Sequence, residues 1–481
     1  MTPVKFRSYH VILALGFIVS VGNAIAAEAP RPNIVLLMAD DQGWGDVGYN
    51  GHERLQTPTL DAMARSGLRF DRFYAAAPVC SPTRASVMTG RHPNRSACFS
   101  WGHPLRPQEV TVAEALRNAG YATGHFGKWH LGSMRAGNPT SPGAQGFDTW
   151  LSSPNFFETS PKLSQNGQVI ATSGEGSQII VDAALEFIRS TNERRQPFLA
   201  VIWFGSPHSP YVALPEDREP YKDLSAELQN YYGEITAMDR SVGILRQKLR
   251  ELGIANNTLL WYTSDNGAMG PGSTGGLSGK KGSLWEGGIR VPGIIEWPAR
   301  VKSPAVCEIP CCSVDIYPTL LGLTGATVNQ QPLPLDGINL TPVIDGKLSE
   351  RSQPLGFWVY PKPGRGVNSD QILTTMMKEQ AGGPRAEITL DADAATITEK
   401  YSADQLPGHA AWIDNAYKLH RIANPSGQAT YQLFDLVKDR QEQRDLAAAE
   451  PERVARMQTA LTRWQMSVIR SLNGEDYGMS M

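Results

Sequence analysis

The sequence predicts an α/β protein: a large doubly wound domain followed by a smaller α+β unit. Short apolar runs of strand length alternate with stretches whose apolar residues recur every three or four positions. Polar and charged residues stand directly after the apolar runs, the place where doubly wound sheets bind ligands. From about Gln353 the alternation stops, and hairpin-like runs precede a single amphipathic helix. With 481 residues, 41% hydrophobic and 19% charged, the chain has a globular composition and is long enough for one large domain and a smaller one.

The first strand is Ile34 to Met38, a continuous apolar run suited to a parallel strand buried on both faces, and it ends in Asp40-Asp41. Thr57-Pro58 opens a helix with Leu60, Met63 and Ala64 on one face and a stop at Gly67. In CSPTRASVMTGR, Cys80 to Arg91, Pro82 suits a first helical turn and Gly90 a helix stop. Cys80 is thereby placed just before a helix N-terminus, where free N–H groups and the dipole favour anions. Thr111-Val112-Ala113-Glu114 is a capping box, with Val112, Ala115, Leu116 and Ala119 facing inward and Gly120 as the stop. A strand from Tyr121 to Phe126 then delivers Lys128 and His130.

Ser177 is expected to cap a helix bearing Ile180, Ala184 and Phe187, and the strand Phe198 to Phe204 ends in Ser206-Pro207-His208. Sustained three-four spacing from Ser225 to Leu252 predicts one long core helix rather than a coiled coil. The strand Leu259 to Thr263 ends in Ser264-Asp265-Asn266-Gly267. GPGSTGGLSGKKG, from Gly270, is expected to be a mobile loop, and it lacks the spacing of a nucleotide P-loop. A strand from Gly293 to Trp297 and a helix within Ser313 to Gly325 complete the large domain. The C-terminal unit is expected to hold strands at Phe357 to Tyr360, Ala411 to Ile422 and Tyr431 to Leu436, and a helix from Pro451 to Ile469. Lys362 to Gln405 is expected to be loop-rich and carries no interpretable motif. Expected boundaries are 1–26 for a leader, 27–350 for the large domain and 351–481 for the smaller one.

The leader is a Sec-type signal peptide: Lys5 and Arg7, an apolar run from Val11 to Val21, and Ala24-Ile25-Ala26 as a small-residue cleavage site. The apolar run favours a cleaved signal over an uncleaved anchor, so the protein is expected to be exported, periplasmic or secreted, without stable membrane insertion. The net charge is −2, and removal of the leader with Lys5 and Arg7 takes away two positive charges and brings it to −2 − 2 = −4. Near-neutrality without a basic run argues against nucleic acid as a partner. Of five cysteines, Cys98, Cys307, Cys311 and Cys312 are available for pairing if Cys80 is set apart, and no connectivity follows. Cys307, Cys311 and Cys312 make a poor zinc site for want of a fourth ligand at the usual spacing.

CSPTRASVMTGR resembles the signature of the formylglycine-dependent sulfatases, in which the Cys of Cys-x-Pro-x-Arg is converted to formylglycine after translation. ADDQGWGDVG, GHFGKWHLG, SPHSP, TSDNG, KGSLWEGGIRVP and YQLFDLVKDRQEQRDL also resemble segments of that family, in the family's order, over nearly the whole mature chain. The resemblance implies an alkaline phosphatase-like fold, with a central mixed, mostly parallel sheet flanked by helices and a C-terminal domain with an antiparallel sheet. It implies that Asp40, Asp41, Cys80, Asp265 and Asn266 surround a divalent cation, and the carboxylates and amide suit Ca2+, with Mg2+ second. It also implies that Cys80, as hydrated formylglycine, is the nucleophile toward the sulfur of a sulfate ester. Arg84 and Lys128 then steady charge, and His130 is the base that releases sulfate. Asp265 assists the attacking hydroxyl, while His208 and Lys281 bind sulfate and one of them protonates the leaving oxygen. Lys281 is preferred to Lys280 only on the family pattern.

The implied partners are a sulfated carbohydrate, expected from export to be an oligo- or polysaccharide, and a formylglycine-generating enzyme, with oligomeric state open. Two other functions are weighed: a phosphate or phosphonate ester hydrolase of the same superfamily, and a non-catalytic glycan-binding homologue. The sugar, its sulfated position and endo or exo action are assigned to the loops Ser100 to Gln108, Pro154 to Gln168 and Lys362 to Gln405.

Overall fold

The computed structural model describes residues 31–384, 396–424 and 426–477, and these described residues cluster as one compact unit. The expected signal peptide lies outside the described residues. Among the described residues, no helix is long and apolar enough to cross a membrane.

A ten-stranded sheet forms the centre. Its five middle strands are parallel, in the spatial order Thr258–Ser264, Asn33–Ala39, Phe198–Trp203, Ala122–Lys128 and Thr149–Ser153. Antiparallel neighbours flank them, Gly293–Glu296 on one side and Lys162–Gln165 on the other, so the sheet is mixed and mostly parallel as expected. The period of two sorts each buried strand between two cores. Leu36, Met38, Val201 and Trp203 face one, and Val35, Leu37, Ala200 and Ile202 face the other.

Helices cover both faces. The long helix Ala226–Glu251 starts where Ser225 accepts the Leu228 N–H at 3.3 Å and buries Tyr231, Ile235, Met238, Val242 and Leu245 in the core. The capping box at Thr111 and Glu114 forms as predicted. Helix Cys80–Thr89 ends at Gly90, whose φ of 70° is the left-handed cap that glycine takes without penalty, and a Cβ there would meet Tyr317 at 3.0 Å. Four further strands, Leu355–Val359, His409–Asp414, Tyr417–Ala423 and Ala429–Asp435, form the C-terminal antiparallel sheet, against which helix Pro451–Leu472 packs through Met457 and Leu461.

Four expectations change. Cys80 is the first residue of its helix rather than the one before it. Helix Gly176–Glu193 is capped by Glu175, not Ser177: the Glu175 carboxylate takes the N–H groups of Ser177 at 2.9 Å and Gln178 at 2.7 Å, which satisfies two orphan donors with an anion at the positive helix end. The glycine-rich loop is tied down rather than mobile. Lys280 Nζ donates to the carbonyls of Gly270 and Gly272, Ser273 N–H to Asp46 Oδ1 at 2.8 Å, and Gly282 N–H to Pro78 O at 2.9 Å. Finally, the stretch expected to be loop contains helix Ser369–Gln380, capped by Asn368, and that helix packs on the hairpin of Lys162–Gln165 and Gln168–Ala171. Only Leu373 and Met376 of this helix are buried, too few to give a readable periodicity. Residues 385–395 of the same stretch lie outside the described residues.

Candidate active site

Strand register brings the site together. Met38 pairs with both Trp203 and Thr263, Ala39 with Ser264, and Gly127 with Trp203, so these parallel strands end at one level. The residues that follow, Asp40, Asp41, Asp265 and Asn266, therefore meet along one rim, with Lys128 closing its own strand beside them. Asp41 and His130 both hold left-handed backbone, φ 71° and 54°, a conformation that collects at functional sites because surrounding contacts must enforce it.

Three carboxylates and three cations are interleaved there. Lys128 Nζ donates to Asp40 Oδ2 at 2.6 Å, and Lys281 donates to Asp41 Oδ2 at 2.8 Å. Arg84 donates to Asp265 Oδ2 at 2.6 Å and to the Lys128 carbonyl at 3.1 Å, and lies 3.7 Å from Asp40. Its guanidinium rests 5.1 Å over the Trp203 ring. Arg84, Lys128, Asp40 and Asp265 are wholly buried. Burial raises the Asp40 pKa, but Lys128, His208 and Arg84 outweigh it and hold the carboxyl below its ordinary value. Burial and the charge of Asp40 push Asp265 up.

The oxygen donors fit a hard divalent cation. Asp40 Oδ1 and Asn266 Oδ1 are buried without a hydrogen-bond partner, the state expected of oxygens that complete a coordination shell. Among the described residues, the acid and imidazole group close enough to hold a metal is Asp40, Asp41 and His208, and no such group forms at Cys307, Cys311 and Cys312. The four cysteines apart from Cys80 are also free thiols. The Asp265 oxygens are engaged by Arg84 and by the Asp41 N–H at 3.1 Å.

Cys80, 2% exposed, sits at the N-terminus of its helix on the floor of a pocket of about 540 Å3 shared with His130, His208 and Lys281. Burial raises the thiol pKa, so the encoded side chain is a poor source of thiolate. His130 is driven well below the ordinary histidine range by burial and by Lys128 and Arg84, so its ring is neutral, and neither nitrogen has a partner. His208 Nδ1 donates to the Ser209 carbonyl at 2.6 Å, which leaves Nε2 3.7 Å from Asp41, and the ring stacks on Phe156 at 4.4 Å. For Lys281, burial opposes the charge, but Asp41 overrides it and raises the pKa.

All ten predicted site residues thus converge on one rim and its pocket. The pocket wall adds residues that sequence reasoning placed only as loops: Trp101, Asn155 and Phe156, Gly366 and Val367, one set from each of the three loops. Met269, also in the wall, had no sequence signal. Trp101 is 47% exposed at the mouth, and its indole lies where a Cβ on Gly364 would meet it at 2.1 Å, so any larger residue there would displace the indole.

A sulfatase family model matches residues 32–326. N-acetylgalactosamine-6-sulfatase of Mus musculus is 33% identical over 374 residues, covering 68% of this chain and 69% of that protein. Steryl-sulfatase of Rattus norvegicus is 31% identical over 421 residues, covering 67% and 71%. Among solved structures, that of Ps i-CgsB in complex with k-i-k-neocarrahexaose aligns with a TM-score of 0.76 at 24% identity, over 93% of this chain and 94% of that one, which is a likeness of fold.

Proposed function

The chain belongs to the sulfatase family and is a sulfuric ester hydrolase, and from that premise we propose that it removes sulfate from a carbohydrate, using formylglycine at residue 80 and a divalent cation. The observation that carries the proposal is the buried alternation of Asp40, Asp41 and Asp265 with Arg84, Lys128 and Lys281 beside Cys80. Such a floor binds an anionic sulfate ester group only if a cation offsets the carboxylates. Asp40, Asp41 and Asn266, with Asp265 at their edge, would hold Ca2+ or Mg2+, which supplies positive charge to the sulfate oxygens. Formylglycine, once formed and hydrated, supplies two hydroxyls on one carbon, one to attack sulfur and one whose deprotonation frees sulfate.

Arg84 and Lys128 keep positive charge beside residue 80 and align it. Asp265, its carboxyl pushed up by burial, takes a proton from the attacking hydroxyl. His208 and Lys281, at the pocket wall, bind the sulfate oxygens, and one of them gives a proton to the departing sugar oxygen. His130, neutral and without partners, accepts the proton that releases sulfate. Support for a carbohydrate comes from the sugar sulfatases among its relatives, whereas the steryl-sulfatase likeness shows that identity near 30% spans different alcohols. The proposal includes export after a leader ending near Ala26, a catalytic domain to about residue 350, and maturation by a formylglycine-generating enzyme.

The test is coexpression with such an enzyme, peptide mass spectrometry across Cys80, and assay against matched aryl sulfate and aryl phosphate. We expect a mass loss confined to residue 80, preference for sulfate, and no turnover by Cys80→Ala. Turnover by Cys80→Ala would exclude the nucleophile, and preference for phosphate would reverse the substrate class.

A further inference from the structure

The pocket over Cys80 does not end the cavity. A groove of about 1260 Å3 adjoins it, and the two share Phe156, Gly366 and Val367 as a common wall. Pockets of about 300–1,000 Å3 enclose a drug-sized ligand, so the 540 Å3 pocket already accommodates a sulfated sugar and the groove is additional room. One bank of the groove is the segment Phe156–Lys162 and the other is the first half of helix Ser369–Gln380, from the stretch without sequence motif.

The groove's charges cancel. Two cations, Arg135 and Lys162, and two carboxylates, Glu158 and Asp370, line it. Lys162 Nζ lies 2.5 Å from Asp370 Oδ1, and Arg135 is bound in fork geometry by Glu379, with one bond at 2.9 Å. Thr159, Ser160, Gln371 and Thr375 supply hydroxyl and amide groups. With both cations held by carboxylates, Glu158 adding negative charge and many neutral donors and acceptors, the lining suits hydroxylated units and offers no cation field to further sulfates.

We propose that pocket and groove are one cleft that binds a saccharide of several units, with the sulfated unit over Cys80 and unsulfated units along the groove. The proposal rests on the carbohydrate reading above and deepens it: the substrate is an oligosaccharide or polymer with spaced sulfates. Phe156 serves both compartments, stacking on His208 in the pocket and walling the groove, so occupancy of the groove orients the sulfated unit against the catalytic floor. Remote binding of this kind raises turnover of long substrates and leaves small ones unaffected.

The test uses the matured enzyme with saccharides carrying one sulfate on one, two, four or six units, in several sugar series, and p-nitrophenyl sulfate as the probe of the floor. Gln371→Trp and Thr375→Trp, at exposed helix positions, fill the groove without touching the pocket residues. We expect kcat/KM to rise at least tenfold from one unit to four. We expect the Trp variants to abolish that rise while p-nitrophenyl sulfate turnover changes less than twofold. Asp370→Asn, which frees Lys162, is expected to shift preference at least threefold toward saccharides with a second sulfate. Equal kcat/KM for one and six units, or variants that leave the length dependence intact, would overturn the cleft. Hydrolysis of p-nitrophenyl sulfate with no saccharide hydrolysed in any series would instead overturn the carbohydrate reading, and the cleft with it.

Discussion

Replacing Arg84 by Met removes one of three cations that face three carboxylates in a dry site. At an effective dielectric constant of 20, the 2.6 Å contact with Asp265 is worth about 6 kcal/mol and the 3.7 Å approach to Asp40 about 4 kcal/mol before desolvation. Burying a guanidinium consumes much of that, but once it is gone the carboxylates remain buried without it, and such truncations cost about 3–5 kcal/mol net. Arg84→Met should therefore lose about 3–5 kcal/mol of unfolding free energy in chelator, read from urea midpoints, and lose turnover of aryl sulfate on the order of a hundredfold or more. Arg84→Met with Asp265→Asn removes the unpaired charge together with its partner, so stability should recover by at least half while activity stays lost. That recovery separates a charge-pairing role from simple packing over Trp203. A single variant as stable as the parent, or a double variant no better than the single, would refute the charge balance described for this site.

Chelation should lower both turnover and thermal stability, and calcium should restore them at lower concentration than zinc. At a hundredfold excess over Kd the bound ion adds about 2.7 kcal/mol of stability, and preference for zinc would contradict the oxygen donor set. Acid should reveal His92, buried edge-on against Trp464 and pushed down to about 3 by burial, with Arg95 adding to the shift and Asp336 opposing it. Its folded pKa is below its unfolded value of about 6.5, so its stabilisation is complete above that pH and is lost as pH falls toward about 3. His92→Phe should flatten the decline in unfolding free energy by about 1.4 kcal/mol per pH unit between about pH 6 and 4, and an unchanged slope in urea titrations would exclude that role.

Much of the site was legible because it lies where strands stop. An apolar run reports its own burial, and the first polar residues after it, such as Asp40 after Met38 or Asp265 after Ser264, report which end faces the ligand. CSPTRASVMTGR was legible as a motif, but its geometry shifted by one residue, since helix starts depend on which N–H groups find partners. Glu175 was missed as a cap because glutamate rarely takes that place in sequence patterns, although its carboxylate reaches two N–H groups. Helix Ser369–Gln380 was missed because it rests on the edge hairpin with only two residues fully buried.

The sequence by itself determined the alternation of strands and helices and the family, because each is written in local patterning or contiguous motif, and likeness to the family's motifs singled out the ten residues that the fold gathers at the rim and its pocket. Only the tertiary structure decided which cation pairs with which carboxylate. Arg84 meets Asp265 across 181 positions and Lys281 meets Asp41 across 240, and such pairings depend on strand register and loop path, which no local pattern encodes. The same holds for the groove: its banks come from segments some two hundred residues apart, and the space between them exists only once both are packed.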